Sequence, residues 1–185
     1  MLLTPLVLLT VAAQPPEPHI GPSATREQIL DINRVWRGFG VGYDGGLVGR
    51  SFAHGLKLVI PFGYRIGQFI GARVRGLMVY PEPGADDFDP VVDMGLELFG
   101  RGPVLLGILR PYGGGGAWVG VRPNPTQSGD QWAVGGGGHF GIEALVARRI
   151  SFTFEVGGQS GGHDLGLDTG ATVMGGMMVY LGATR

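Results

Sequence analysis

Three pairs of polar residues recur at a spacing of four: Asp93 with Glu97, His139 with Glu143, and Ser151 with Glu155. A histidine, a serine and a carboxylate brought together are the parts of an acyl-transfer site. The imidazole takes the hydroxyl proton and the carboxylate orients the ring. His139, Ser151 and the two glutamates are the candidates for that chemistry. Spacing by four also has a plainer meaning. Side chains of an extended strand alternate between faces, so residues i and i+4 lie on one face. If that face is enclosed, the same residues form an internal hydrogen-bond network, because buried polar groups must find partners. No sequence motif of an acyl-transfer enzyme accompanies them, and the network is the preferred reading.

Other candidate motifs carry less. "GVGYDG", residues 40–45, fits G-x-G-x-x-G, but no helical pattern follows it, so the context for dinucleotide binding is missing. "GGGG" at 113–116 and again at 135–138 lacks the Lys-Ser/Thr of a phosphate loop; close backbone packing accounts for it. Asp86, Asp87 and Asp89, and separately His163, Asp164 and Asp168, supply oxygen and imidazole ligands of the kind divalent cations take. They read as solvated loop charge. "NPT" at 124–126 is not a glycosylation acceptor, because proline holds its middle position. No cofactor is expected.

The elements that position the polar pairs are strands. Apolar residues alternate with glycine, polar or charged ones through eight segments. In the clearest, Val92, Met94, Leu96 and Leu98 alternate with Asp93 and Glu97. Elsewhere Leu56, Leu58 and Ile60 oppose Lys57, Ile70, Ala72 and Val74 oppose Arg73 and Arg75, and Phe140, Ile142 and Ala144 oppose His139 and Glu143. Phe152, Phe154 and Val156 oppose Ser151, Thr153 and Glu155. Short turns are expected at "YRIGQ" (64–68), "FGRGP" (99–103) and "ARRIS" (147–151). Four longer polar connections are expected at 44–55, 80–90, 122–131 and 157–168. Such sorting of loops by end is the layout of an outer-membrane barrel with both termini on the periplasmic side.

Glycine supplies 37 of 185 residues, well above the usual share of about 7%, with no triplet period. That argues against long helices and for close strand packing. The net charge of -1 gives no footprint for nucleic acid or anionic headgroups. Cysteine is absent, which removes disulfides, thiolate nucleophiles and cysteine metal sites. Residues 1–13 form an apolar stretch too short to span as a helix, which needs about 20 residues. With small residues at Val11 and Ala13 they read as a cleavable export signal, although no Lys or Arg precedes Arg26. Residues 14–35 read as a proline-rich linker followed by a short helix over about 26–33, opened by Thr25 and Gln28 at capping-box spacing. Residues 36–182 carry the strands.

Eight strands closed on themselves leave no unpaired edge, the condition for a sheet in hydrocarbon, and enclose an interior just wide enough for side chains. The polar faces then form an interior charge network of Lys57, Arg65, Arg73, Arg75 and Arg110 with Asp93, Glu97, Glu143, Glu155 and His139, with glycines making room for the arginines. Burying these charges is tolerated when they are paired, since a lone buried ion costs several kcal/mol. The apolar faces meet lipid. A soluble lipocalin-like carrier would invert this arrangement and needs a charged exterior, for which a single lysine leaves little.

"RPYGGGGAWVGV", "WAVGGGGHFGIEALVARRISFTFEVGG" and the last strand "GATVMGGMMVYLG" resemble the small eight-stranded outer-membrane β-barrels of the OmpA/OmpX type. The resemblance spans about 36–182 and rests on repeated pattern more than on a diagnostic motif. It implies an all-β, antiparallel, up-and-down transmembrane barrel in the bacterial outer membrane. The expected partners are outer-membrane lipid and an external ligand met by the long loops, with the chain a monomer. The expected role is structural or in surface interaction, not enzymatic. A narrow anion-leaning pore and a lipid A-modifying barrel enzyme are the rival readings.

Overall fold

In the computed structural model, residues 39–62, 69–80, 90–123, 131–147, 149–162, 165, 167 and 169–181 are described. They form eight strands: β1 (Gly40–Val48), β2 (Ser51–Phe62), β3 (Phe69–Tyr80), β4 (Val91–Arg101), β5 (Leu109–Val121), β6 (Trp132–Ala147), β7 (Ile150–Gly161) and β8 (Gly170–Tyr180). Each pairs antiparallel with the next, and β1 pairs with β8, so the sheet is a closed up-and-down barrel. The expected all-β, eight-stranded antiparallel fold is therefore the one observed. The proposed signal over 1–13 and the linker and helix over 14–35 lie outside the described residues, as do Arg65 and the acidic groups 86–89 and 163–168.

Alternation in sequence becomes alternation in burial. Along β4, Val91, Asp93, Gly95, Glu97, Phe99 and Arg101 point inward, while Met94, Leu96 and Leu98 are each at least 60% exposed. The outer face of the eight strands carries no Asp, Glu, Lys or Arg. Every charged strand residue is on the inner face.

Three expectations about connections are corrected. Residues 44–55 are not a long loop. β1 and β2 run through them and meet in a tight turn at Gly49 and Arg50, with Gly49 at φ 59°. Gly46 and Gly55 there serve close strand approach: a Cβ on Gly46 would lie 2.0 Å from the Val173 carbonyl. "FGRGP" is only partly a turn, since β4 continues to Arg101 and the connection is 102–108. Likewise β7 extends to Gly161, leaving 162–169 as the last connection. Long connections at the end away from the termini are thus 81–90, 122–131 and 162–169, beside one tight hairpin.

The interior is layered. Near the loop end, Val48, Ala53, Leu77, Val79, Val91, Trp118, Ala133 and Met174 pack with Leu165 and Leu167, which turn down from the β7–β8 connection and are fully buried. Arg122 Nη2 donates to the Leu165 carbonyl at 2.8 Å and holds that segment in place. Near the termini end, Val59, Phe99, Leu145, Met178 and Tyr180 form a second apolar layer. The ion pairs of Lys57, Arg73 and Arg75 lie between them, while Arg101 and Glu143 are interleaved with the lower layer through Tyr180. Glycines of the inner wall accommodate bulky neighbours more than arginines: Gly42 faces Met178, Gly135 faces Trp118 and Gly141 faces Tyr112, whereas Gly95 meets Arg75 only at an ordinary 3.7 Å.

Candidate functional site

The enclosed charges are brought together from seven strands. Lys57 of β2 donates through Nζ to Asp44 Oδ1 of β1 at 2.6 Å and to Thr153 Oγ1 of β7 at 2.9 Å, and lies 3.5 Å from Glu155 Oε1. Arg73 of β3 donates through Nε to Glu97 Oε2 at 2.5 Å and through Nη1 to Glu155. Its Nη2 sits 3.2 Å from His139 Nε2. Arg75 reaches Glu97 Oε1 at 3.4 Å and Asp93 Oδ2 at 4.0 Å. Tyr112 Oη donates to Glu155 at 2.7 Å.

Toward the termini end a second group forms around Glu143. Ser151 Oγ donates to it at 2.6 Å, Tyr180 Oη donates to the same oxygen, and Arg101 Nε lies 3.7 Å from its other oxygen. Arg101 also donates to Tyr180 Oη at 2.5 Å and stands over the Phe99 and Tyr180 rings at 5.1 and 5.3 Å. Arg110, opposite Glu143 in the β5–β6 register, donates through Nε to the Gly102 carbonyl at 2.8 Å.

Asp44 and Arg101 also belong to this interior, beyond the residues expected in the charge network. With them, the described inward charges are Lys57, Arg73, Arg75, Arg101 and Arg110 against Asp44, Asp93, Glu97, Glu143 and Glu155, which balance. The signal for Arg101 was its parity with Asp93 and Glu97, masked by the flanking glycines. Asp44 shares the parity of Gly40 and Gly42, but the glycines that follow it suggest a loop.

This geometry does not assemble an acyl-transfer site. Ser151 is engaged with Glu143, while both ring nitrogens of His139 face Arg73, with Glu97 3.9 Å from Nδ1. Among the described residues no group of His, Asp and Glu is placed to hold a metal ion. Two lumenal cavities, one beside Lys57, Arg73 and Tyr180 and one beside Arg75, Gln159 and Trp118, measure about 20 Å³ each. That is room for about one water molecule in each.

On the outside, an aromatic cluster marks the loop end. His54 stacks on Tyr80 with ring centroids 5.5 Å apart, its Nε2 3.2 Å from Tyr80 Oη, and Tyr43 and Phe52 flank it within 6 Å.

A closed ring of eight antiparallel strands with an ion-paired interior and an uncharged exterior defines a small eight-stranded barrel of the OmpA/OmpX type in fold. Among solved structures, the chain is similar to the N-terminal β-barrel domain of Pseudomonas aeruginosa OprF, with a TM-score of 0.57 and 14% identity over 78% of this chain and 96% of that one. The outer membrane protein OprG from Pseudomonas aeruginosa is a more distant match, with a TM-score of 0.44 and 12% identity over 79% of this chain and 97% of that one. No family model matches the sequence, and no curated protein is similar to it.

Proposed function

We propose that this chain is a bacterial outer-membrane β-barrel protein whose role is structural or in surface interaction and whose lumen is sealed. The observation that carries the reading is the division of faces: every charged strand residue points inward and is enclosed, while the outer face offers only apolar, glycine, aromatic and a few neutral polar groups. In water that exterior would expose dozens of large apolar side chains; in hydrocarbon it is the required surface. The likeness in fold to the OprF barrel domain supports the same placement. Export through a cleaved N-terminal signal follows from the location.

The filled interior favours a non-conducting barrel. An apolar layer caps the ion pairs at the loop end and a mixed one with Tyr180, Arg101 and Glu143 closes the other, and conduction would require breaking the pairs as well as displacing Leu165 and Leu167. The partners engaging His139 and Ser151 favour a packing role over catalysis. The barrel acts as a monomer, held by lipid, with the connections 81–90, 122–131 and 162–169 available to an external ligand. The test is fractionation with heat modification: the folded protein is expected in outer-membrane fractions and migrates faster on gels before boiling than after. Recovery as a soluble monomer overturns the proposal.

A further inference from the structure

The connection between β4 and β5 is unlike an ordinary solvent-exposed turn. Residues 102–109, the connection and the first residue of β5, "GPVLLGIL", contain no charged or hydrogen-bonding side chain. The other connections at the same end hold Arg65 and the Arg148–Arg149 pair. The turn is well made: Ile108 N donates to Leu105 O at 3.2 Å, Leu109 N to Leu105 O at 2.9 Å, and Leu105 N to Leu109 O at 2.7 Å. Its two central residues, Leu106 and Gly107, have φ of 52° and 75°. Such turns take asparagine, aspartate or glycine at both centres, because a larger L-residue is strained in the left-handed region. Among the described residues, Leu106 is the one non-glycine residue at positive φ, and its side chain is 64% exposed. Leu105 beside it is 49% exposed. The fold keeps Val104 against the lower apolar layer and leaves the two leucines at the tip about half exposed or more.

We infer that the Leu105–Leu106 tip is an apolar anchor that inserts into the acyl chains of the leaflet on the termini side, extending the lipid-contacting surface of the barrel past the end of its strands. The occupant is argued from continuity: the tip carries on the outer column of Leu96 and Leu98 on β4 and Leu109 and Pro111 on β5, with no polar residue between. A turn made for water gains nothing from a strained leucine; one seated in hydrocarbon gains the burial of both side chains. The inference rests on the proposed membrane location and adds that the barrel sits deeper on its β4–β5 side.

Because the chain has no cysteine, single cysteines can be spin-labelled without background. Leu106→Cys, Leu98→Cys and Arg149→Cys are labelled in the full chain, refolded into phosphatidylcholine–phosphatidylglycerol vesicles, and checked for heat modification. Leu105→Cys replaces any Leu106→Cys protein that does not fold. Collision with oxygen, which partitions into lipid, is compared with collision with a water-soluble nickel chelate. The expected result is a ratio at 106 shifted to the lipid side and matching 98, with 149 on the aqueous side. A 106 label that matches 149 overturns the anchor while leaving the barrel in the membrane. A label that is aqueous in vesicles but shielded in native membranes overturns it in favour of a protein partner. If 98 is aqueous too, the membrane location itself fails.

Discussion

Arg73 on β3 and Glu155 on β7 stand on opposite walls of the eight-strand ring, four strands apart in either direction, and Arg73 Nη1 donates directly to Glu155 Oε1. The same guanidinium holds Glu97 on the adjacent β4. One side chain thus ties the wall to itself across the lumen. Burying an ion costs several kcal/mol, and the cost is recovered only with close partners that satisfy its hydrogen bonds.

Removal of Arg73 therefore leaves four carboxylates (Asp44, Asp93, Glu97 and Glu155) to the two cations Lys57 and Arg75. Arg73→Met is expected to lower the stability of the barrel by about 3–5 kcal/mol, read as a shift in urea midpoint after refolding into vesicles. Adding Glu97→Gln and Glu155→Gln to the same chain restores most of the loss, because the uncompensated charges are gone. If the triple variant is no more stable than Arg73→Met, the ion pairing is not what the site depends on.

Tyr180 is fully buried, donates to Glu143 and accepts from Arg101. Tyr180→Phe keeps the ring and removes the hydroxyl that joins these two charges. The expected loss is about 1–3 kcal/mol, by the same unfolding measurement, and Glu143→Gln in the Tyr180→Phe background costs less than it does alone. Independent, additive effects contradict the shared network.

Two glycines test strand approach. A Cβ on inward Gly116 would lie 2.0 Å from the Leu96 carbonyl, whereas one on outward Gly138 meets nothing closer than 3.4 Å. Gly116→Ala is expected to destabilise by about 1–3 kcal/mol, the cost of forcing packed elements apart, while Gly138→Ala leaves the midpoint nearly unchanged. Equal effects show that the inner-wall contacts are not limiting.

The outer face makes the opposite demand of charge. Leu96, mid-strand and 60% exposed, sits beside Glu97 in sequence but across the wall from it. Leu96→Arg is expected to cost about 2–4 kcal/mol in vesicles, the penalty for arginine at bilayer mid-depth. A neutral outcome argues that Leu96 faces water.

Much of this arrangement was legible in the residues. Asp93 and Glu97 share a parity against Met94, Leu96 and Leu98, and a period of two assigns a whole face at once, so the fold follows from pattern alone. The boundaries did not follow. Glycine marks turns in most sequences, but here Gly45, Gly46 and Gly55 lie inside β1 and β2, where Gly46 and Gly55 serve backbone approach, so the pattern suggests a loop from Asp44 onward where the strands in fact continue. Gly100 and Gly102 hid Arg101 in the same way. The apolar layers at either end were also not read, because Leu77, Val79 and Met178 share the inner face with arginines and lysine. Their burial depends on height along the lumen, which periodicity does not encode. Leu165 and Leu167 carried no signal of entering the barrel, since their neighbours read as an ordinary polar connection.

The division of the two faces is tested most directly by lipid contact itself. Refolded protein in vesicles containing a carbene-generating phospholipid is photolysed, and the adducts on β4 are mapped by mass spectrometry. Adducts are expected on Met94, Leu96 and Leu98 and absent from Asp93 and Glu97. Labelling of Asp93 and Glu97 with Met94, Leu96 and Leu98 protected would mean that the charged face is outermost and the account is wrong.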